Sequence, residues 1–125
     1  MNYLIVFIGG GLGAMARHGV GALSLRWWGS GFPSGTLLVN LVGSLAMGML
    51  VEHFALRGGV PATARLFLTV GVLGGFTTFS AFSMEAVLLY QRGETMVAAL
   101  YVIASTVLGI AGLIAGMSLV RALSA

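Results

Sequence analysis

Gly71-Val-Leu-Gly-Gly-Phe-Thr-Thr-Phe-Ser-Ala-Phe-Ser-Met-Glu85 lies inside a long apolar segment, yet carries three glycines, two threonines, two serines, three phenylalanines and a carboxylate. A span that only filled lipid would not concentrate polar groups in this way. Gly74-Gly75 is its weakest helical point, because glycine gains the most entropy by leaving a helix. Four hydroxyls follow between Thr77 and Ser83, able to bond backbone groups that a break sets free. Non-helical backbone at membrane depth persists only when buried in protein or lining a wet cavity. In transporters and channels such broken helices bind ions through freed carbonyls and half-helix ends. The stretch reads as an ion site on a span broken at mid-membrane.

The surrounding composition fixes the class. Of 125 residues, 58% are hydrophobic and 7% charged, where a soluble domain carries about 25% charged residues. Mean hydropathy is +1.05. At roughly 20 apolar residues per span, the chain accommodates four helices as a single transmembrane unit: an all-α integral membrane protein. Its first segment lacks a basic n-region and stays apolar too long to read as a cleavable signal peptide. The six arginines are scattered, which argues against a nucleic-acid partner. Without cysteine there is no disulfide or thiolate–metal chemistry. Without aspartate, and with two distant histidines, no catalytic triad or transition-metal cluster can be assembled, so an enzyme is not expected.

Taken in order, the expected spans are 3–25, 36–54, 66–90 and 95–120. In the first, Gly9 and Gly13 form a small-xxx-small pair that admits a neighbouring backbone. Arg17 follows, with two readings open: a side chain snorkelling to the headgroups, or a cation at the inner end of a vestibule, where it concentrates anions. Arg26-Trp27-Trp28 reads as an interfacial turn, and Pro33-Ser34 as a helix start. Asn40 lies one turn inside the second span, as helix–helix glue or as an NH2 donor aimed at a pore. On the fourth span, Tyr101, Ser105 and Thr106 are the polar marks, and Gly109, Gly112 and Gly116 the small face.

With four spans, Arg57, Arg65 and Arg121 gather on the side of the termini, and Arg17, Arg26 and Arg92 on the other. That balance gives the positive-inside rule nothing to act on. A chain without the bias can insert both ways up, and two opposed copies can pair about an axis in the membrane plane, reproducing between subunits the inverted repeats of transporters. On the third span Phe79 and Phe82 share a face, and Ser80 and Ser83 share another about 100° away. A ring edge is positive and its face negative, so rings edge-on to a path favour a small anion. Ordinary packing of the two rings is the rival reading. A path for cations would more usually be lined by acids, and Glu85 is the lone intramembrane carboxylate.

Gly74-Gly75-Phe76-Thr77-Thr78-Phe79-Ser80-Ala81-Phe82-Ser83, followed by Glu85, resembles the signature of the Fluc/CrcB family of fluoride channels. Gly35-Thr36-Leu37-Leu38-Val39-Asn40-Leu41-Val42-Gly43 is similar to the family's second motif, and Gly9-Gly10-Gly11-Leu12-Gly13 with Arg17 to its first helix. The resemblance covers the whole chain. It implies an antiparallel, dual-topology homodimer in the inner membrane of a prokaryote, with two pores that expel fluoride. It assigns Phe79 and Phe82 to fluoride contact through their ring edges, Asn40 to the pore, and Thr78, Ser80, Ser83 and Ser105 to its polar track. Arg17 becomes the vestibule cation. A structural sodium ion at the dimer centre is implied, held by backbone carbonyls at Gly74 and Thr77. Gly109 departs from the pattern, which often has serine there, and Phe76 stands where leucine is common. The alternatives are a small dual-topology cation or drug exporter, which would want a carboxylate in the first span that is absent, and a non-transporting assembly subunit, which would leave the hydroxyls of the third span without purpose.

Overall fold

A computed structural model describes residues 1–124 of the chain. Four helices are long and apolar enough to cross a membrane: α1 (Asn2–Trp28), α2 (Ser34–Arg57), an interrupted third span (Ala62–Gln91) and α6 (Thr95–Ser124). The third is divided into α3 (Ala62–Leu66), a π-helical stretch (Phe67–Leu73), α4 (Gly74–Phe76) and α5 (Ser80–Gln91). Each expected span lies within an observed helix, and the helices run further. Arg26, Trp27 and Trp28, expected in a turn, are the last turn of α1, which ends where Gly29 takes φ 74° and donates its N–H to the Leu25 carbonyl. Gly58 closes α2 in the same way at φ 63°, bonded to Phe54. Only glycine adopts that left-handed geometry without strain.

Between helices in lipid there is little hydrophobic driving force, and close contact at small residues replaces it. The glycines of α1 meet the third span: a Cβ on Gly9 would lie 2.9 Å from the Phe67 carbonyl, and one on Gly13 would be driven into the carbonyl of Val72. Gly75 rests in the same way on the carbonyl of Gly10. The α2–α6 seam repeats the device, with Gly48 against Leu113 and Gly116 against Leu45. Little else is buried. Leu89, Ala98 and Tyr101 form a cluster on which Leu37, Phe82, Ala86 and Val97 pack.

The third span breaks just past its two glycines, at Thr77 and Thr78. Gly74 is regular helix (φ −61°, ψ −39°), and the chain leaves the helix at Thr77 (φ −88°, ψ 160°). Gly75 provides contact with α1, so its missing side chain serves packing. Diverted donors make the break instead. The N–H of Thr78, which would reach the Gly74 carbonyl in a continued helix, goes to Asn40 Oδ1 at 2.9 Å. The N–H of Ala81 goes to Thr78 Oγ1 at 3.1 Å. Phe79 already has helical dihedrals (φ −91°, ψ −35°) and is the cap residue of α5, and the Thr78 hydroxyl before it accepts from Ala81, the second residue of the helix.

The π-helical stretch was not foreseen. In it the N–H of Gly74 reaches the Thr69 carbonyl, five residues back. Single π turns of this kind occur within α-helices, often at functional sites, and here one precedes the break directly.

Candidate functional site: the broken span and its groove

Helix interruption at Thr77–Phe79 removes the intrahelical donors of four carbonyls, those of Gly74, Gly75, Phe76 and Thr77. Gly75 O regains one from Arg17 Nε at 3.2 Å. Among the described residues, the carbonyls of Gly74, Phe76 and Thr77 have no hydrogen-bond partner. Thr77 itself is pinned back, its N–H and hydroxyl both donating to the Leu73 carbonyl at 3.0 and 2.9 Å.

Asn40 spans the break from α2. Its Oδ1 accepts from the Thr78 N–H, and its Nδ2 donates to the Thr78 carbonyl at 3.0 Å. One residue's two backbone groups are thus paired by one amide. Gly43, a turn along, leaves room for the Thr77 methyl, which a Cβ there would strike. The sequence offered Asn40 as glue or as a pore donor; in the structure it is first a clamp on the backbone. An amide nitrogen carries two hydrogens, so one remains for another acceptor.

The break opens onto a groove of about 420 Å³ between α2, the third span and α6. Asn40, Thr77, Thr78, Phe79, Phe82 and Ser105 all line it. Phe79 and Phe82 touch with centroids 5.7 Å apart, and Phe82 also lies 5.2 Å from the ring of buried Tyr101. Phe79 is 79% exposed, a large ring beside hydroxyls with nothing of its own chain over it.

Hydroxyl bookkeeping separates the candidates, since each carries one hydrogen. Ser83 spends it on the Phe79 carbonyl at 2.9 Å, and Thr77 on Leu73. Thr78 Oγ1 accepts from Ala81 and stands 3.5 Å from Ser80 Oγ, so that pair spends one hydrogen between them and leaves one in hand. Ser105 Oγ is buried and unpartnered among the described residues. Ser80 and Ser83 stand outside the groove. Ser44 and Thr106 line it as well, although the sequence had offered Thr106 only as a polar mark. Ser44 Oγ lies 3.7 Å from where a Cβ on Gly109 would stand, so α2 places a hydroxyl where α6 has none.

Arg17 lines a second cavity, of about 500 Å³, together with His18, Glu85 and Arg92. Arg92 straps its mouth, donating through Nη2 to the Gly31 carbonyl at 2.8 Å and pairing with Glu94 at 2.7 Å. Glu85 faces Tyr101, whose hydroxyl donates to Oε1 at a long 3.5 Å.

A membrane-embedded four-helix protein with one interrupted span, whose break faces a groove of hydroxyls and aromatic rings, is the class this geometry defines. Residues 4–117 match the family model described as CrcB-like protein, Camphor Resistance (CrcB), and the chain belongs to that family. It is 54% identical over 124 residues to the fluoride-specific ion channel FluC of Rhodopseudomonas palustris (strain BisB5), covering 99% of this chain and all of that one. It is 55% identical over 121 residues to the protein of the same name from Methylobacterium nodulans, covering 97% of each. The FluC of Granulibacter bethesdensis is 54% identical over 123 residues, 98% of this chain and 97% of the relative.

Proposed function

We propose that this chain forms a fluoride-selective channel that lets cytoplasmic fluoride leave down its gradient, as an antiparallel homodimer with two pores in the inner membrane of a prokaryote. The observation that carries the reading is the groove at the break, where two phenylalanine rings face hydroxyl and amide donors with uncommitted hydrogens. Relatives above 50% identity bearing the name fluoride-specific ion channel support it. The edges of Phe79 and Phe82 meet the anion, while Asn40, Ser105 and the Thr78–Ser80 pair each have a hydrogen to donate. Ser80 stands outside the groove, and Ser83 joins that track only by redirecting its hydrogen from the Phe79 carbonyl. A second copy laid over this face covers Phe79, which agrees with its exposure in the single chain.

The donor set also fits a structural sodium ion. The carbonyls of Gly74 and Thr77 have no partner among the described residues, and no group of three or more His, Cys, Asp or Glu occurs there to hold a transition metal. Neutral oxygen ligands without a carboxylate suit a monovalent cation and disfavour calcium or magnesium. Two copies supply four such carbonyls, and the ion, when bound, satisfies dipoles that would each cost several kcal/mol unpaired in the membrane.

Purified protein in liposomes loaded with fluoride or chloride tests the function, read as anion efflux with an ionophore for the counter-ion. Fluoride efflux far above that of protein-free vesicles, little chloride efflux, and a large loss of flux in Phe79→Ile and Phe82→Ile are expected. Equal efflux of both halides would overturn the reading, as would none of either.

A further inference from the structure

Arg17 does more at this site than line a cavity. Gly9, Gly13 and Arg17 recur every fourth residue along one face of α1. The two glycines press α1 onto the backbone of the third span at Phe67–Val72. At the next step along that face the chain places a guanidinium, whose Nε donates to Gly75 O at 3.2 Å. That carbonyl has lost its helical donor, because Phe79 N–H lies beyond the break. It is the one among the four freed carbonyls that regains a donor. The atom used is Nε, the guanidinium donor nearest the main chain, and the two terminal NH2 groups take no part in that bond.

We propose that Arg17 is a positioning residue for the break, its Nε–H fixing the peptide plane of Gly75 and thereby the neighbouring planes that carry the carbonyls of Gly74 and Thr77. The inference rests on the sodium reading above. A cavity cation acts by charge alone, at a distance, and any donor geometry serves it. A carbonyl cap acts by a directed N–H and does not need the charge. In a membrane the cap matters, since water is not there to replace it. Arginine's planar fork suits the task because its Nε–H points along a fixed direction set by the stem.

Citrulline at position 17, installed by semisynthesis, separates the two roles: it keeps the Nε–H and the length and removes the charge. Arg17→Met removes both. The readouts are the sodium concentration giving half-maximal fluoride efflux and the sodium-dependent rise of the unfolding midpoint of the dimer, against N-methylglucamine. Citrulline is expected to keep both within about threefold of the wild type, while Arg17→Met raises the sodium requirement by about tenfold or more, as losses of supporting groups around metal sites do. Citrulline raising the sodium requirement as far as Met would overturn the proposal. So would an Arg17→Met protein with an unchanged sodium requirement. Should Arg17→Met not assemble, the citrulline protein decides alone on the same two readouts. A wild type without fluoride efflux would sink the channel reading instead, and the unfolding measurement in sodium would still judge Arg17.

Discussion

Replacing Asn40 by leucine, which has the same heavy-atom branching, deletes both bonds to Thr78 at once. The N–H and the carbonyl of Thr78 then face an apolar side chain, with α2 still packed against the break. Each buried backbone group left without a partner costs about 1–3 kcal/mol, so the pair costs about 2–6 kcal/mol. In hydrocarbon the upper half of that range applies. Two escapes are open to the chain. It can accept the cost, or it can return Thr78 N–H to the Gly74 carbonyl and heal the helix, which swings Phe79 away from the groove. Either way fluoride efflux falls by orders of magnitude. Unfolding in mild detergent measures the first outcome directly, and protection of the Thr78 amide against hydrogen exchange separates the second, since a healed helix protects it and an orphaned amide does not. The clamp would be refuted by an Asn40→Leu protein with unchanged stability and unchanged Thr78 exchange but no flux. That result would leave Asn40 as a pore donor alone.

The glycines divide sharply by position. Gly13→Ala and Gly75→Ala should disrupt the contact between α1 and the third span, because each Cβ would meet a carbonyl, whereas Gly11→Ala meets nothing within 4 Å and should stabilise by the helix-propensity gain of about 1 kcal/mol; thermal unfolding of the three proteins checks both. Arg121→Met strips the 2.7 Å partner from Glu52, whose side chain is 5% exposed while that of Arg121 is 70% exposed. It should lower the stability, because it leaves a buried carboxylate without its partner, with Glu52→Gln in the same background restoring part of the loss; denaturant titration reads both.

Much of the architecture was legible because lipid imposes few solutions. Apolar length sets the spans, and the crowding of hydroxyls after Gly75 announces a break. What periodicity could not reveal is which acceptor each donor takes. Gly74-Gly75 permits a break without requiring one, and the place was decided by Asn40, 38 residues away from the amide it captures. The same limit hid Glu52 and Arg121, 69 residues apart. It also hid the roles of Ser44 and Thr106, whose places in the groove follow from how α2 and α6 pack. Asn40 itself was visible as a costly residue open to two roles, but its partner was not, because an amide looks the same in sequence whether it faces a path or a backbone.

Interrupting a helix creates two ends of opposite character within a few residues. The segment before Thr77 finishes in carbonyls, and the segment after it begins in N–H groups, of which that of Thr78 goes to Asn40 Oδ1 and that of Ala81 to the Thr78 hydroxyl. Carbonyl ends favour cations and amide ends favour anions, so one break can hold a fixed cation on one side and present a favourable field to a passing anion on the other. Side chains sharpen the division. Arg17 and Thr77 act on the carbonyl side, through Gly75 O and Leu73 O, while the Thr78 hydroxyl accepts on the amide side and shares one spare hydrogen with Ser80. The Phe79 ring is carried by the first residue beyond the clamp, so its direction is set by the bonds that Asn40 makes to Thr78. An anion path needs weak, repeated contacts rather than one deep well, and ring edges with single hydroxyls supply contacts of that strength. A full charge such as Arg17 beside them would bind too tightly, and its bond to Gly75 keeps it on the carbonyl side of the break.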